Sequence, residues 1–208
     1  MEPFTTFTGK TKVNPLDRPL VKPKYEINIS LYALLFSEMV QYCHNKVYTV
    51  PELQNKLSEM GYHVGQRIID ALFIREKNFK REIRLINTLV LIKTSVWKAL
   101  FGKEADKLEH ANDDETTYYI IEKETIVNKF ISVPRDKGNL NCASFIGGII
   151  EAILTECSFV NKIPILINSH CLLILQPAKV TVHWHKGTTF MIKFDESVII
   201  RDKALDNK

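Results

Sequence analysis

Cysteine is scarce in this 208-residue chain, and none of its four cysteines has a partner at the spacing of a metal site or a redox pair. Cys43, Cys142, Cys157 and Cys171 form no CxxC motif, and their density is far below that of a disulfide-stapled secreted domain. We therefore expect reduced cysteines, most of them buried, in a cytosolic protein.

The motifs of common catalytic classes are missing as well. No GxSxG, GxxxxGK(S/T) or GxGxxG string occurs, so acyl transfer and nucleotide binding lack their usual anchors. His183 and His185 would point the same way from a strand, but no third metal ligand stands at a recognisable spacing. The acidic run Asp113–Glu115 is typical of a solvated turn. The sequence predicts no catalytic residue, no metal and no cofactor.

Long apolar runs and strong net charge are also absent. No stretch reaches the roughly 18 apolar residues that span a bilayer, and the chain carries no signal-peptide pattern, N-terminal Met-Gly or CaaX box. The net charge of +4 is too small to indicate nucleic-acid binding. We expect any membrane contact to come through partners or through surface charge.

Helical and strand periodicities are what the chain does have. Residues 1–24 contain four prolines among basic residues and are interpreted as a flexible basic arm, with residues 25–208 as one domain. Five helices are predicted. They are Tyr25–Cys43, a helix from the capping box Thr49–Glu52 to Gly61, His63–Phe79, Arg81–Phe101 ending at Gly102, and Cys142–Cys157 capped from Asn139–Asn141.

Strands are predicted in the second half of the chain. The alternating charges of Lys103–Glu109 favour a solvated helical segment. β-branched and aromatic runs predict strands at Thr116–Glu122 and Ile126–Val133, and strong alternation predicts a hairpin of Lys179–His185 and Thr188–Asp195 around a two-residue Lys186-Gly187 turn. The fold class is α+β, with helices packed on one side of a twisted antiparallel four-stranded sheet.

Two helices carry signs of close contact. The first predicted helix is apolar over most of its circumference, so it is buried on two sides, either in the core or against a partner subunit. Ala143, Ser144, Gly147 and Gly148 form a small face, which indicates close approach of another element, because helical glycine costs about 1 kcal/mol otherwise.

Residues 160–176, VNKIPILINSHCLLILQ, differ from their surroundings in being almost uncharged and rich in aliphatic residues. The genetic code allows Val160–Lys162 to be written GTAAATAAA, which starts as introns do, and Leu172–Gln176 to be written as a pyrimidine-rich tract that ends in CAG. Our hypothesis is an in-frame retained intron, so that Phe159 would join Pro177; the alternative is a genuine extra strand or loop. A dominant transcript containing the segment, with matching peptides, would contradict the hypothesis.

Several long strings of this sequence are highly individual. They are WKALFGKEADKLE followed by ANDD and YYIIE, YALLFSEMVQYC, VPELQNKLSEMGYHVGQRIIDAL, LNCASFIGGIIEAIL and PAKVTVHWHKGTTFMIKF. Together they resemble the small-subunit family of the TRAPP (transport protein particle) vesicle-tethering complex, from Leu31 to Ala204 apart from residues 160–176, which family members lack.

The resemblance implies a non-catalytic assembly subunit. Its implied partners are TRAPP subunit 3, as a direct heterodimer through helices, then subunit 2 and the other TRAPP subunits. The complex tethers vesicles in endoplasmic reticulum-to-Golgi transport and drives nucleotide exchange on a Rab GTPase. The implied location is cytoplasmic, peripherally on endoplasmic reticulum and cis-Golgi membranes, with only indirect Rab and membrane contact.

One family feature is not expected here. The related subunit 3 carries an acylated cysteine before a helix start, whereas the comparable stretch Lys77–Glu82 contains no cysteine. We therefore expect no acylation at that position.

Two functions of different classes remain at this point. The first is the assembly subunit, for which we predict a partner interface on the first helix at Leu31, Leu35, Met39 and Tyr42, spaced i, i+4, i+8 and i+11. The second is a small apolar-ligand-binding sensor domain of similar fold, in which the Gly147-Gly148 face would line a cavity.

Overall fold

The sheet of this protein is antiparallel and four-stranded, as predicted. The computed structural model describes residues 28–75, 84–133, 135–157 and 177–206. The strands lie in the order β1-β2-β4-β3. Their bounds are β1 Lys107–His110, β2 Thr117–Glu122, β3 Ala178–Trp184 and β4 Thr188–Phe194. The predicted arm of residues 1–24, the segment 160–176, Cys171 and Lys77–Glu82 lie outside the described residues.

Helices cover one face of this sheet. Their bounds are α1 Ile29–His44, α2 Val50–Arg75, α3 Leu85–Leu91, α4 Trp97–Phe101, α5 Ile126–Lys129, α6 Ser144–Glu156 and α7 Glu196–Asp206. On β4 the alternate residues Phe190, Ile192 and Phe194 are buried, and the ring of Phe190 meets that of Trp97 edge-on at 5.5 Å. The opposite face carries exposed Lys179 and Lys193, which are paired across β3 and β4. This alternation is typical of a sheet with one solvated side.

Helix α2 begins as predicted but does not end where predicted. The capping box is present, because Thr49 Oγ1 accepts from the backbone N–H of Glu52 at 3.4 Å, and Glu52 Oε2 accepts from that of Thr49 at 3.2 Å. The predictions that Gly61 closes this helix and that a separate helix begins at His63 are wrong. Gly61 lies within the helix, and it is glycine because α2 passes close to the backbone of Phe145 in α6. A Cβ at this position would lie 1.9 Å from the Phe145 carbonyl oxygen.

Helix α6 confirms the predicted small face. The side chain of Asn141 accepts from the backbone N–H of Ala143 at 3.0 Å, and the helix runs from Ser144. A Cβ on Gly148 would lie 1.9 Å from the carbonyl oxygen of Ser58 in α2, and one on Gly147 would lie 3.0 Å from Val182 in β3. The absence of side chains at these two positions lets α6 lie directly between α2 and the sheet.

The helix predicted at Arg81–Phe101 is described from Leu85 onward and is not uniform. A π-helical turn, Ile92–Val96, joins α3 to α4, and Trp97 directly after it is buried. Gly102 ends α4 with φ of 75°, and its N–H donates to Lys98 O at 3.0 Å, as the predicted left-handed cap requires.

Two predicted elements have the wrong type. Lys103–Glu109 was predicted to be helical, but Lys107–His110 forms the edge strand β1, in which alternating charges keep an unpaired edge soluble. Ile126–Val133 was predicted to be a strand, but Ile126–Lys129 is the short helix α5. That turn lets the Asn128 amide donate to Asn141 Oδ1 at 2.9 Å, a contact with a residue that is distant in sequence.

The β3–β4 hairpin is confirmed with a longer turn than predicted. Trp184 pairs with Thr188, which leaves three residues in the turn instead of two. Lys186 and Gly187 both adopt positive φ, 50° and 104°. A Cβ on Gly187 would lie 2.7 Å from Lys123 Cα, so the turn also needs glycine for close packing.

Candidate partner interface

Helix α1 is anchored to the core along one side. Asn28 caps it by accepting from the backbone N–H of Ser30 at 3.0 Å. Phe36 is buried and meets the ring of Phe145 edge-on at 5.6 Å, while the Cys43 thiol lies 3.2 Å from the sulfur of Met60. These contacts fix which face of α1 is left for solvent.

The solvent face of α1 carries four large apolar residues next to exposed polar ones. Leu31, Leu34, Leu35 and Tyr42 are 58%, 68%, 60% and 52% exposed, and Glu38 is the charged residue between them. The spacing of i, i+3, i+4, i+7 and i+11 places all five on one side of the helix. We call this surface the α1 stripe. A contiguous apolar patch of this kind typically marks a protein–protein interaction site.

The structure places the four predicted interface residues unequally. Leu31, Leu35 and Tyr42 lie on the α1 stripe, whereas Met39 is half-buried and packs against the core. Each step of four residues rotates a helix position by about 40° beyond a full turn. Two such steps from Leu31 therefore bring Met39 round to the core side of α1. A step of three from Leu31 identifies Leu34, which sequence reasoning missed.

Tyr42 marks the C-terminal end of the stripe and is held by a neighbouring cation. Lys46 Nζ lies 2.5 Å from the Tyr42 hydroxyl and 4.2 Å from the centre of its ring. An ordered aromatic ring with a polar tip is well suited to a partner surface, since it loses little entropy on binding.

A smaller apolar pair lies on α3. Ile86 and Val90 are 45% and 44% exposed and lie about one helical turn apart. The buried face of the same helix consists of Leu85, Thr88 and Leu89. This helix therefore has apolar residues on both sides.

The histidines and the Cys142 thiol considered in the sequence analysis have structural surroundings in the described part of the chain. No group of three His, Cys, Asp or Glu side chains in these ranges could hold a metal ion. His183 Nε2 lies 3.0 Å from Thr181 Oγ1, and His185 belongs to the hairpin turn. Burial raises the pKa of the Cys142 thiol to about 11, so that thiol is neutral and unreactive near pH 7.

The acidic run Asp113–Glu115 has structural partners. Asp114 accepts from the N–H and hydroxyl of Thr116 at 2.8 and 2.6 Å and from the hydroxyl of Thr117 at 2.8 Å. These hydrogen bonds lower the pKa of the Asp114 carboxyl to about 2. Glu115 pairs with Lys203 of α7 at 2.5 Å. Two of the three carboxylates thus stabilise the turn between β1 and β2.

The space directly beside Gly147 and Gly148 is filled by other elements of the fold. The α2 backbone fills the space beside Gly148, and Val182 fills the space beside Gly147. The observation that favoured the apolar-ligand sensor therefore has a different cause, which is the close packing of α2, α6 and β3.

In addition, none of the helices within the described ranges is long and apolar enough to cross a membrane.

Comparison with known proteins identifies relatives of this chain. The family model described as "Transport protein particle (TRAPP) component" matches residues 32–195. The chain is 52% identical over 193 residues to trafficking protein particle complex subunit 5 of Homo sapiens, an alignment that covers 93% of this chain and 94% of the human protein. It is 44% identical over 201 residues to the Dictyostelium discoideum subunit 5, covering 93% and 99%.

A solved structure agrees on the fold. Trafficking protein particle complex subunit 3 from Naegleria fowleri, crystallised covalently bound to palmitic acid, superposes with a TM-score of 0.62 at 18% identity. The match covers 81% of this chain and 95% of that one. With the sequence relatives, these observations confirm the resemblance noted above: the chain belongs to the family of transport protein particle (TRAPP) components.

Proposed function

We propose that this chain is a non-catalytic assembly subunit that binds a subunit-3-type TRAPP partner directly through the α1 stripe. The observation that carries the proposal is the apolar solvent face of α1, on a helix whose other side is anchored to the core. The human and Dictyostelium relatives are named as subunits of a trafficking complex, which supports an assembly role.

The stripe has the composition of a central interface patch. Three leucines and a tyrosine with one charge among them resemble the aromatic and aliphatic core of a stable interface more than a wet rim. Burying the exposed part of each leucine would contribute roughly 1–2 kcal/mol. This makes Leu34 and Leu35 the strongest anchor candidates.

A paired substitution tests this interface. We expect Leu34→Ala with Leu35→Ala to weaken binding to a recombinant subunit-3 homologue by roughly 30-fold or more, measured by calorimetry. The matched control is Ile200→Ala on α7, because Ile200 is 68% exposed, the same as Leu34. Equal affinities for the double variant and the control would rule out the α1 stripe.

The wider role follows from the family and is also a proposal. We propose that the heterodimer joins subunit 2 and the other TRAPP subunits, and that the complex acts in endoplasmic reticulum-to-Golgi tethering. The chain would support Rab nucleotide exchange through assembly, from the cytoplasmic side of endoplasmic reticulum and cis-Golgi membranes. Omitting it from a reconstituted complex should lower the exchange rate by loss of assembly; unchanged assembly and exchange would contradict this role.

Native mass spectrometry separates this function from ligand sensing. The proposal expects a heterodimer whose mass equals the sum of the two polypeptides plus any ligand known to be on the partner. A monomer of this chain that retains an apolar small molecule would favour the sensor instead.

A further inference from the structure

A cavity of about 210 Å³ lies beside the first turn of α1. Its apolar lining includes Ile29 of α1, Trp97 and Phe101 of α4, and Ile146 of α6. Its polar lining includes Lys103 and, at the end of β2, Glu122, which form an ion pair. We call this cavity the Glu122 pocket. Its volume is below the roughly 300–1,000 Å³ of sites for drug-sized ligands, so it suits a single side chain better than a lipid.

Glu122 is a buried acid with one free oxygen. Its side chain is 2% exposed, and its Oε1 accepts a hydrogen bond from Lys103. Its Oε2 is buried and has no hydrogen-bond partner among the described residues. A buried carboxylate oxygen left without a donor destabilises the folded state, so native proteins rarely retain one without a use for it.

The lining of the pocket favours a cation on an aliphatic stem. The aliphatic residues can contact a methylene chain, and Trp97 and Phe101 offer aromatic rings that attract a cation. At the rim, Glu124 and Lys129 pair with each other at 3.5 Å and offset each other's charge. Lys103 likewise pairs with Glu122 Oε1, so the one oxygen of this carboxylate that has no hydrogen-bond donor among the described residues, Oε2, is the group we expect to select the occupant.

The pocket lies next to the N-terminal end of the α1 stripe. Ile29, half-exposed, lines the pocket and stands two residues before Leu31, the first residue of the α1 stripe. A protein seated on the stripe would extend past the first turn of α1 and reach the pocket.

We propose that the Glu122 pocket receives a lysine or arginine side chain of the subunit that covers the α1 stripe, and that its N–H donors pair with the free oxygen of Glu122. This inference rests on the proposed function and adds the partner's chemistry. In this arrangement the α1 stripe supplies most of the binding free energy, and the pocket supplies the specificity. A partner without a cationic side chain at this position would leave the Glu122 carboxylate buried and unpaired, and would therefore bind more weakly.

Charge removal in the pocket is the first test. We expect Glu122→Gln to lower affinity for the subunit-3 homologue at least tenfold. The control is Glu109→Gln on β1, which should bind within twofold of the unmodified chain because Glu109 is exposed and lies outside both the pocket and the α1 stripe. Unchanged affinity of Glu122→Gln would overturn the inference and leave the proposed function intact. Failure of the unmodified chain to pair at all would overturn both.

A second test needs no partner and no variant that must fold. The ¹⁵N-labelled full chain is titrated with n-propylguanidinium chloride, and the indole N–H of Trp97 is followed by NMR, with 1-pentanol and sodium chloride as controls. We expect saturable shifts with the guanidinium only. No shift, or an equal shift with 1-pentanol, would show that the pocket holds water or a neutral donor and would overturn the inference.

Discussion

Replacing Gly148 with alanine should destabilise this protein, although alanine is the better helix former. At a solvent-exposed helical position the substitution would stabilise by about 1 kcal/mol. Gly148, however, is buried where α6 meets α2, and the neighbouring atoms belong to the backbone. The sign of the effect therefore reports directly on the packing of these two helices.

The magnitude follows from three distances. The new Cβ would lie 1.9 Å from Ser58 O, 2.7 Å from Ser58 C and 2.9 Å from Tyr62 N, whereas ordinary contact begins at 3.4 Å. Helix backbone cannot rotate away as a side chain can, so α2 and α6 must separate by roughly 1.5 Å. Overpacking of this kind costs about 1–3 kcal/mol or more. Because the contacting groups are helix backbone, we place this clash at about 3 kcal/mol, which leaves a net loss of about 2 kcal/mol after the propensity gain of about 1 kcal/mol is subtracted.

Urea unfolding followed by circular dichroism at 222 nm measures this loss. Gly138→Ala is the control, because its new Cβ would approach only Arg135 O, at 3.4 Å, and we expect a change within about 0.5 kcal/mol. Adding Gly61→Ala to Gly148→Ala should cost less than the sum of the two, since both open the same interface. If Gly148→Ala is as stable as the unmodified chain, the described helix contact is wrong.

Three further predictions concern turns and thiols. Asp114→Asn should lower the free energy of unfolding at pH 5 but not near pH 2. The pKa of Asp114 is lower in the folded protein than in the unfolded chain, so its ionised carboxylate stabilises the fold at pH values above the unfolded pKa, and this contribution is lost as the pH falls through about 2. Urea unfolding midpoints measured at both pH values check this. Cys142 should stay unlabelled by iodoacetamide at pH 8 in the native protein and react after unfolding, as peptide mass spectrometry would show. Lys186→Gly should raise stability by about 1 kcal/mol in the same urea assay by relieving its positive φ; a loss would contradict that strain.

Signals that act within a few residues were readable from the sequence. The capping box at Thr49 and the left-handed cap at Gly102 form as predicted. So do the strand around Thr117–Glu122 and the alternating strands of the hairpin. Asn141 accepts from the backbone N–H of Ala143 in the turn just before α6, whose N-cap residue is Ala143. Each of these depends on hydrogen bonds or side-chain alternation between near neighbours, which a single sequence contains.

The errors share a different cause. Gly61 looked like a helix end but serves a contact with Phe145, which is far away in sequence. Lys107–His110 became a strand because β2 offers it a pairing edge. Asn128 lies in a helical turn that lets it reach Asn141. In each case a contact with a residue outside the segment itself overrode the segment's local preference.

The candidate site divides in the same way. The sequence alone showed that the first helix has more apolar surface than one core contact needs, and its individual strings already pointed to the TRAPP family. It could not show which side of α1 stays exposed, because that depends on where Phe36 and Cys43 meet α2 and α6. Packing therefore selected Leu34 over Met39, and it left one oxygen of Glu122 buried without a donor, which no local pattern records.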